Sequence, residues 1–540
     1  MIARKCDGLP LVLDLIGGVI SRKEKKEALW LEVLNNLSSF IFKDEEEVVK
    51  VIQLSYDHLS DHVKPCLVYL ASYPKDKDIM ISELKDLWIS QGLVEQIEMK
   101  SAEEVVDELI SSSLVIPFDN SICKIHDLVH DFCYIKSRKE KLLHFIEGLE
   151  APSSSSSSDL MPRGIIIHFD GFTICLNGNF AVFNPEKKNP YVKHLLSLKV
   201  YESHLPPKSY LKLYESYLKV NKCHLKHLRL LKSLDLKGIT MKDYLLNEIG
   251  MLVHLKYLII QTRAKALPPS FSNLCNLETM VVDSEGSCMV LSPWFWSLAK
   301  LRDVRMKCCS LFDPTVLDEE SRLENLRTLR KLYLPGLEDT EDIIFKRFPN
   351  LQNLEVSIGQ LPDCSAGKIC FPRLDVLNEL EELHLSASPL GSFNEYTHGF
   401  PLSLKKMTLQ WLSLTSDTLS RISRLPNLQE LILEDTIIEE GKEWNMEDLT
   451  FQKLKSLQLD RLEFSEWQVD AEKSFPVLEK LHINGCDKLM DIPDSFGDIA
   501  SLELIVLWFS PQLRESAINI KEYVEEMTGE DKLERDHINM

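Results

Sequence analysis

LQELILEDT (residues 428–436), LKSLQLDRL (454–462) and LEKLHINGC (478–486) are three copies of one pattern. Leucine or isoleucine holds the first, fourth and sixth places, and mostly polar residues fill the gaps. Alternation at the fourth and sixth places is the period of a half-buried strand. The ladder runs in both directions from these copies. Upstream it reads Leu231/Leu234/Leu236, Leu255/Leu258/Ile260, Leu277/Met280/Val282, Leu301/Val304/Met306 and Leu329/Leu332/Leu334. It continues through Leu351/Leu354/Val356, Leu380/Leu383/Leu385 and Leu404/Met407/Leu409, and closes at Leu502/Ile505/Leu507. Successive first anchors lie 22 to 29 residues apart.

That spacing is the leucine-rich-repeat period. One repeat cannot bury its own anchors, so neighbours must stack. A buried Leu or Ile contributes about 1.5–3 kcal/mol, and three per turn make the stack cohere. The residues between anchors would line an open, curved parallel sheet whose concave face is a binding surface. Two return segments fit this reading: Leu267–Leu274, with Pro268, Pro269 and Phe271, and Ile492–Gly497, with Pro493 and Phe496. Proline stops the strand there and Phe fills the gap between turns. The steps of 28 and 29 residues suggest loops inserted near Ser310–Asn325 and Pro362–Arg373. Leu195/Leu198/Val200 is expected to start the array.

The chain has 540 residues, room for two to four domains, and a formal charge of −21. So acidic a balance argues against broad phosphate-backbone binding. Thirteen cysteines without a C-x-x-C pair indicate reduced thiols rather than a disulfide scaffold or zinc ribbon. No stretch reaches the roughly 20 apolar residues of a membrane span. Leu9–Ile20 is apolar but short, carries Asp14, and reads as a buried helix.

Ahead of the ladder the chain reads as helical. Glu45–His58 has apolar residues at helical spacing, and Val63–Tyr73 is a second helix ending near Pro74. Ser82 and Gly92 suit the caps of a helix over Glu83–Gln91. Ser101 suits the start of a helix running through Ser111. Leu114–Ile116 and Ile122–Ile125, with a turn at Asp119-Asn120, read as a hairpin. Helices followed by a hairpin fit a winged helix. Pro152 and the serines Ser153–Ser158 mark a linker. A helix over Ala517–Met527 suits a cap on the solenoid's open end.

Three short runs stand in order before the ladder: Gly8-Leu9-Pro10-Leu11, Tyr69-Leu70-Ala71-Ser72-Tyr73-Pro74-Lys75-Asp76, and Ile125-His126-Asp127. This order resembles the C-terminal part of the NB-ARC nucleotide switch of plant intracellular immune receptors. Within them it is most similar to the coiled-coil class and its late-blight-resistance-like proteins of nightshades. The resemblance covers essentially the whole chain, with Ile125 where the family usually has Met. It implies that Pro10 lies against the adenine of bound ADP, that His126 reaches the β-phosphate, and that Asp127 orients the His126 loop. An imidazole N–H donating to phosphate oxygen is sound chemistry.

On this reading residues 1–43 end the helical GLPL subdomain and 44–150 form the winged helix. Residues 151–190 are linker and lead-in, 191–512 the solenoid and 513–540 the C-terminal cap. The fold class is α+β: a helical bundle with a winged-helix domain, then an α/β leucine-rich-repeat solenoid.

The departures weigh as much. No G-x-x-x-x-G-K-[S/T] occurs in the sequence, so the backbone cradle and lysine of a phosphate loop are missing. Neither a Walker B strand nor an N-terminal coiled coil precedes the GLPL run. The sequence thus reads as an N-terminally truncated relative that binds ADP or ATP weakly or not at all and catalyses nothing. His126 and His130 are spaced like a zinc-helix pair, but the glutamate base and a third ligand are missing, so no metal is expected. Trp294 and Trp296 read as packing residues, and Arg22–Lys26 as a solvated helix face. The expected function is that of an immune-receptor-type protein whose repeats sense a pathogen effector or a guarded host protein. A regulator or decoy without a nucleotide switch is the alternative, and a leucine-rich-repeat ubiquitin-ligase adaptor fits less well. The expected location is the cytoplasm, in solution or at a membrane surface, with no nucleic-acid partner.

Overall fold

The computed structural model describes residues 10–21, 45–94, 99–118, 121–147, 162–169, 194–202, 225–241, 243–284, 289–310, 321–334, 344–359, 371, 373–387, 394–396, 398–438, 443–446, 448–529 and 538–539. The chain divides into two compact units. One is Met1–Gln261 with Asn276–Thr279; the other is Thr262–Cys275 with Met280–Met540. Most of the GLPL run, the serine run and Arg22–Lys26 lie outside the described residues.

The first unit opens with helix α1 (Pro10–Ser21), where proline suits the first helical position because no N–H is needed there. Helix α2 (Glu45–Asp57) packs on α1, and α3 (Val63–Tyr69) runs into a 3-10 turn, Leu70–Ser72. Strand β1 (Ile79–Met80) leads into α4 (Ile81–Gln91), which Gly92 closes in the left-handed region, φ +68°. Helix α5 (Met99–Ser111), strands β2 (Ile116–Pro117) and β3 (Ile122–Lys124), and helix α6 (Asp127–Lys139) follow. The hairpin is present, and β1 joins it in the antiparallel order β1-β3-β2. These are the wing and helices of a winged helix. Two expected caps are not caps. Helix α4 starts two residues early, with Met80 as N-cap, and Ser101 lies inside α5. Packing explains both: buried Leu84, Leu87 and Trp88 fix α4, and buried Ala102, Val105 and Leu109 fix α5, whatever caps them. The Trp88 indole donates to the Cys66 carbonyl at 3.1 Å.

Parallel strands β4 (Leu143–Glu147), β5 (Gly164–Phe169), β6 (Ser197–Glu202) and β7 (Ser233–Met241) pair in sequence order, and β8 (Tyr257–Thr262) continues the sheet. The sheet therefore begins two strands before the triad at Leu195, with β4 at the end of what reads as winged helix and β5 inside what reads as linker. Buried Leu143 and Ile165–Ile167 supply its first layer without the leucine pattern.

In the second unit the middle anchors pair rung to rung. Leu354, Leu383, Met407, Leu431, Leu457, Leu481 and Ile505 stand opposite one another in turn. All but Leu354, Leu383 and the half-buried Ile505 are at most 1% exposed. The fold is an α/β solenoid, as the leucine period predicts.

One rung corrects the sequence register. Leu329 pairs with Val304 and Leu354, and Leu332 with Val356. The anchors are thus Leu326, Leu329 and Leu332, not Leu329, Leu332 and Leu334. Arg330 and Lys331 together fill a place that one residue fills elsewhere, a bulge with Lys331 at φ +61°. The irregular step of 28 residues disappears on this register. Asn325 marks the true first anchor: its side chain donates to the Ala299 carbonyl at 2.8 Å. Asn276, Asn350 and Asn427 do the same just before Leu277, Leu351 and Leu428.

A second ladder follows the five strands from Lys406–Gln410 to Leu504–Trp508. Trp411, Asp435, Arg461, Gly485 and Phe509 occupy one place in successive rungs, all with positive φ. The amides of the first four donate to carbonyls of the next rung, Glu434, Asp460, Asn484 and Trp508. Only Gly485 adopts this conformation without steric cost. An added Cβ there would sit 3.2 Å from Arg461 Cγ. Gly485→Ala is therefore expected to lower stability by about 1 kcal/mol, read as a lower denaturant midpoint with unchanged slope.

Return segments bury Phe271 and Phe496 completely, as their positions predict. Trp296 stacks on Phe348 at 5.5 Å, which bears out its packing role. The C-terminal helix, Arg514–Thr528, buries Ala517, Ile520 and Val524. Gly497 lets Tyr523 approach, since a Cβ there would meet its ring at 2.7 Å.

Candidate functional site

Helix α6 carries the His-Asp signature at its N-terminus. His126 is the N-cap, and its Nδ1 accepts the Leu128 amide at 3.2 Å. The ring proton then sits on Nε2, on an exposed ring free to donate outward. Asp127 is exposed in the first turn, where a carboxylate suits the helix dipole. Pro10 opens α1, but its side chain lies outside the described residues. Of the three expected nucleotide contacts, the structure describes the side chains of His126 and Asp127, both exposed at the N-terminus of α6.

The other polar residues of α6 hold the module together. His130 is buried, and its Nε2 donates to the Tyr73 carbonyl at 2.7 Å. Asp131 pairs with Lys75 at 2.7 Å, and Lys124 with Asp78 at 3.0 Å. His126 and His130 therefore face different partners. Among the described residues no group of three or more His, Cys, Asp or Glu is arranged to hold a metal.

The non-core face of the first rungs is not open. Each strand alternates core anchors with residues on this face, and here those residues are Ser197, Lys199, Ser233, Asp235, Tyr257 and Ile259, all buried. The winged helix lies over them. The Tyr69 hydroxyl and Ser197 hydroxyl are 2.8 Å apart, and α4 packs on β7. Lys199 Nζ sits 3.6 Å over the centre of the Tyr73 ring and 3.8 Å from an Asp235 carboxylate oxygen. Burial pushes the Lys199 amine down to about 8, only partly opposed by Asp235 and Glu83. Burial likewise raises the Asp235 carboxyl, with Lys199 opposing. Both shifts agree: desolvation outweighs the mutual attraction.

From Leu351 onward the same face is largely water-accessible, with Ser386, Thr408 and Val506 buried among its residues. Glu355, His384, Gln458 and His482 are half-buried; Glu382 and Lys480 are exposed. Opposite charges pair across rungs: Lys405 with Glu381 at 2.8 Å, Lys406 with Glu430 at 2.7 Å, Lys455 with Glu479 at 2.6 Å. Arg461 reaches back to Asp435 at 2.7 Å and to Glu434. Exposed as they are, these pairs add little stability. They leave a surface of mixed charge in which acidic groups outnumber basic ones, which suits a folded protein better than a polyanion.

Tyr73 stood in the motif that carries the family resemblance, but its contact with Lys199 was not anticipated. The available signal was register. Lys199 and Asp235 hold the same place in successive rungs and pair across the sheet, so opposite charges face each other on a surface expected to be wet. No described helix is long and apolar enough to cross a membrane.

Residues 210–530 match the family described as Leucine-rich repeat region, more than half of the chain. Residues 73–133 match the Disease resistance protein Winged helix domain. Among curated relatives, Late blight resistance protein R1-A of Solanum demissum is 30% identical over 96% of this chain and 40% of its own length. Putative late blight resistance protein homolog R1B-16 of the same plant is 29% identical over 96% and 39%. The chain spans about two fifths of these relatives. Among solved structures, a leucine-rich-repeat protein of Leptospira interrogans aligns over 74% of this chain and 98% of its own, at 16% identity and a TM-score of 0.44. An internalin of Listeria monocytogenes aligns over 65% and 82%, at 13% identity and 0.36. Scores this low add nothing to the strand register itself.

Proposed function

Because the chain belongs to the leucine-rich-repeat disease resistance proteins, we propose that it acts in plant defence as a sensor of a protein partner. The partner is a pathogen effector or a guarded host protein, captured on the non-core face of the rungs from Leu351 to Leu507. One observation supports this reading: that face is largely water-accessible there and buried under the winged helix on the first rungs. A protein partner in this array meets mixed charges and hydrogen-bonding groups on a rigid support, which gives specificity more than raw affinity.

The test is expression in nightshade leaves followed by pathogen challenge. The wild-type chain should reduce lesion area. Glu382→Lys with Lys480→Glu, both on exposed positions, should abolish the effect while leaving the melting curve unchanged. Equal protection by this variant would place sensing elsewhere.

An adenine-nucleotide contact is the second part of the reading. The exposed Nε2–H of His126 suits a phosphate oxygen, and ADP would supply the charge that holds the winged helix in one state. Calorimetric titration with ADP should show binding that His126→Ala removes. No heat with the wild-type chain favours the regulator reading, in which the repeats bind a partner without a nucleotide switch.

A further inference from the structure

The rim that follows the strands from Glu430–Glu434 to Leu504–Trp508 has one unfilled place. Asp435, Arg461, Gly485 and Phe509 hold the same position in successive rungs, all at positive φ. Gly485 alone projects no side chain. A Cβ built there would meet only Arg461 Cγ within 4 Å, beyond its own chain neighbours, so the place is open toward Phe509. Neighbouring strands lie about 4.8 Å apart, which makes the gap one side chain wide. Beside it runs the row Glu434, Asp460, Asn484 and Trp508, paired in register.

Charge along this rim is unbalanced. Glu434 and Asp435 share Arg461, which leaves Asp460 over. Asp460 is 7% exposed; its Oδ2 accepts the Gln458 amide at 2.8 Å, and its Oδ1 accepts nothing. Burial raises its carboxyl, with the Gln458 and Asn484 side chains opposing. A buried polar atom in this state calls for a donor. On the far side of the gap Trp508 and Phe509 are 48% and 69% exposed. The Trp508 backbone is held from both sides, by Asn484 and by Asn539.

We propose that the gap at Gly485 is a subsite for one arginine side chain of a protein partner, its guanidinium donating to Asp460 and lying against the Trp508 and Phe509 rings. The subsite rests on the reading of the later rungs as the capture face, and it states what that face recognises at its C-terminal end. The carboxylates here are not arranged to hold a metal ion. An organic cation meets both halves of the site: aromatic faces attract it, and the carboxylate accepts its hydrogen bonds. Arginine suits the gap better than lysine. Its group is planar, stacks on a ring while donating at its edge, and is more weakly hydrated. An acidic or apolar side chain in the gap leaves Asp460 without a donor.

Saturation-transfer difference NMR on the full chain tests this, with the blocked peptide Gly-Leu-Arg-Leu-Gly and its citrulline counterpart as probes. Citrulline keeps the planar shape and loses the charge. The arginine peptide should bind, with saturation strongest on its Cγ and Cδ protons, and the citrulline peptide should bind about tenfold more weakly. Asp460→Asn should remove the difference between the two. Trp508→Ala should weaken the arginine peptide about threefold; it changes an exposed side chain, and so decides the matter even if Asp460→Asn folds poorly. Equal binding of the two peptides by the wild-type chain overturns the subsite. So does an arginine peptide that does not bind, or one that binds Trp508→Ala as it binds wild type. The leaf challenge reads the face and the peptides read the gap. Peptide binding as stated with no protection in leaves upholds the subsite and sinks the sensing role. Protection without peptide binding overturns the subsite and leaves sensing in place.

Discussion

Leu354→Asp is expected to unfold the array around its rung. Leu354 is 2% exposed and sits between Leu329 and Leu383 in the pairing register. The substitution removes about 1.5–3 kcal/mol of burial and places a carboxyl where no partner is available. The carboxyl must stay protonated or drag water inward, and the combined loss is about 5 kcal/mol or more. Rungs contact only their neighbours, so damage spreads from one point along the stack. Circular dichroism should show either a melting temperature lowered well beyond 10 °C or a new early transition. Leu354→Met, close in volume, should stay near wild type. An unchanged melting curve for the aspartate variant would remove the rung assignment on which the solenoid rests.

Trp444→Ala is expected to cost about 4 kcal/mol. Trp444 is 1% exposed and stacks on Trp467 at 5.3 Å with the rings 10° apart. The two residues pair across a small two-stranded parallel sheet, Glu443–Asn445 with Glu466–Gln468. Phe464 packs edge-on at 5.0 Å, and the Trp467 indole lies 3.2 Å from the Met446 sulfur. Truncation leaves a cavity among rings held by backbone on both sides, so little collapse can fill it. Trp444→Phe should recover much of the loss. Near-ultraviolet circular dichroism reads both effects, since the stacked indoles carry their own signal. A Trp444→Ala variant as stable as wild type would mean the return-side aromatics do not support the rungs.

Most of the solenoid was legible because its anchors repeat with a fixed spacing and each is apolar. The rung at Leu326 was not. Leu326, Leu329, Leu332 and Leu334 satisfy the six-residue pattern best one step late, and the bulge at Lys331 has no signature of its own. The asparagine before Leu326 held the answer, since its side chain bonds back to the previous turn as Asn276, Asn350 and Asn427 do just before their first anchors. Strands β4 and β5 were missed for a different reason: LHFIE and GIIIHF carry buried Leu and Ile without leucine spacing. Around the signature helix, His126 and Asp127 were legible as a motif and stand together at the N-terminus of α6. Their environment was not legible. That Lys199 and Asp235 are buried depends on a module more than a hundred residues earlier in the chain, and no local pattern reports such a lid.

Coverage of the early rungs sets a rule for grafting. A repeat array transplanted from a relative onto this winged helix brings its own residues opposite Tyr69 and Tyr73. Unless it also brings a matching charge pair, the graft meets a foreign surface there. The natural exchange point for building hybrid chains therefore lies between Gln261 and Met280, where the chain passes from the first compact unit to the second. A cut at the sequence's apparent linker would separate a lock from its keyhole.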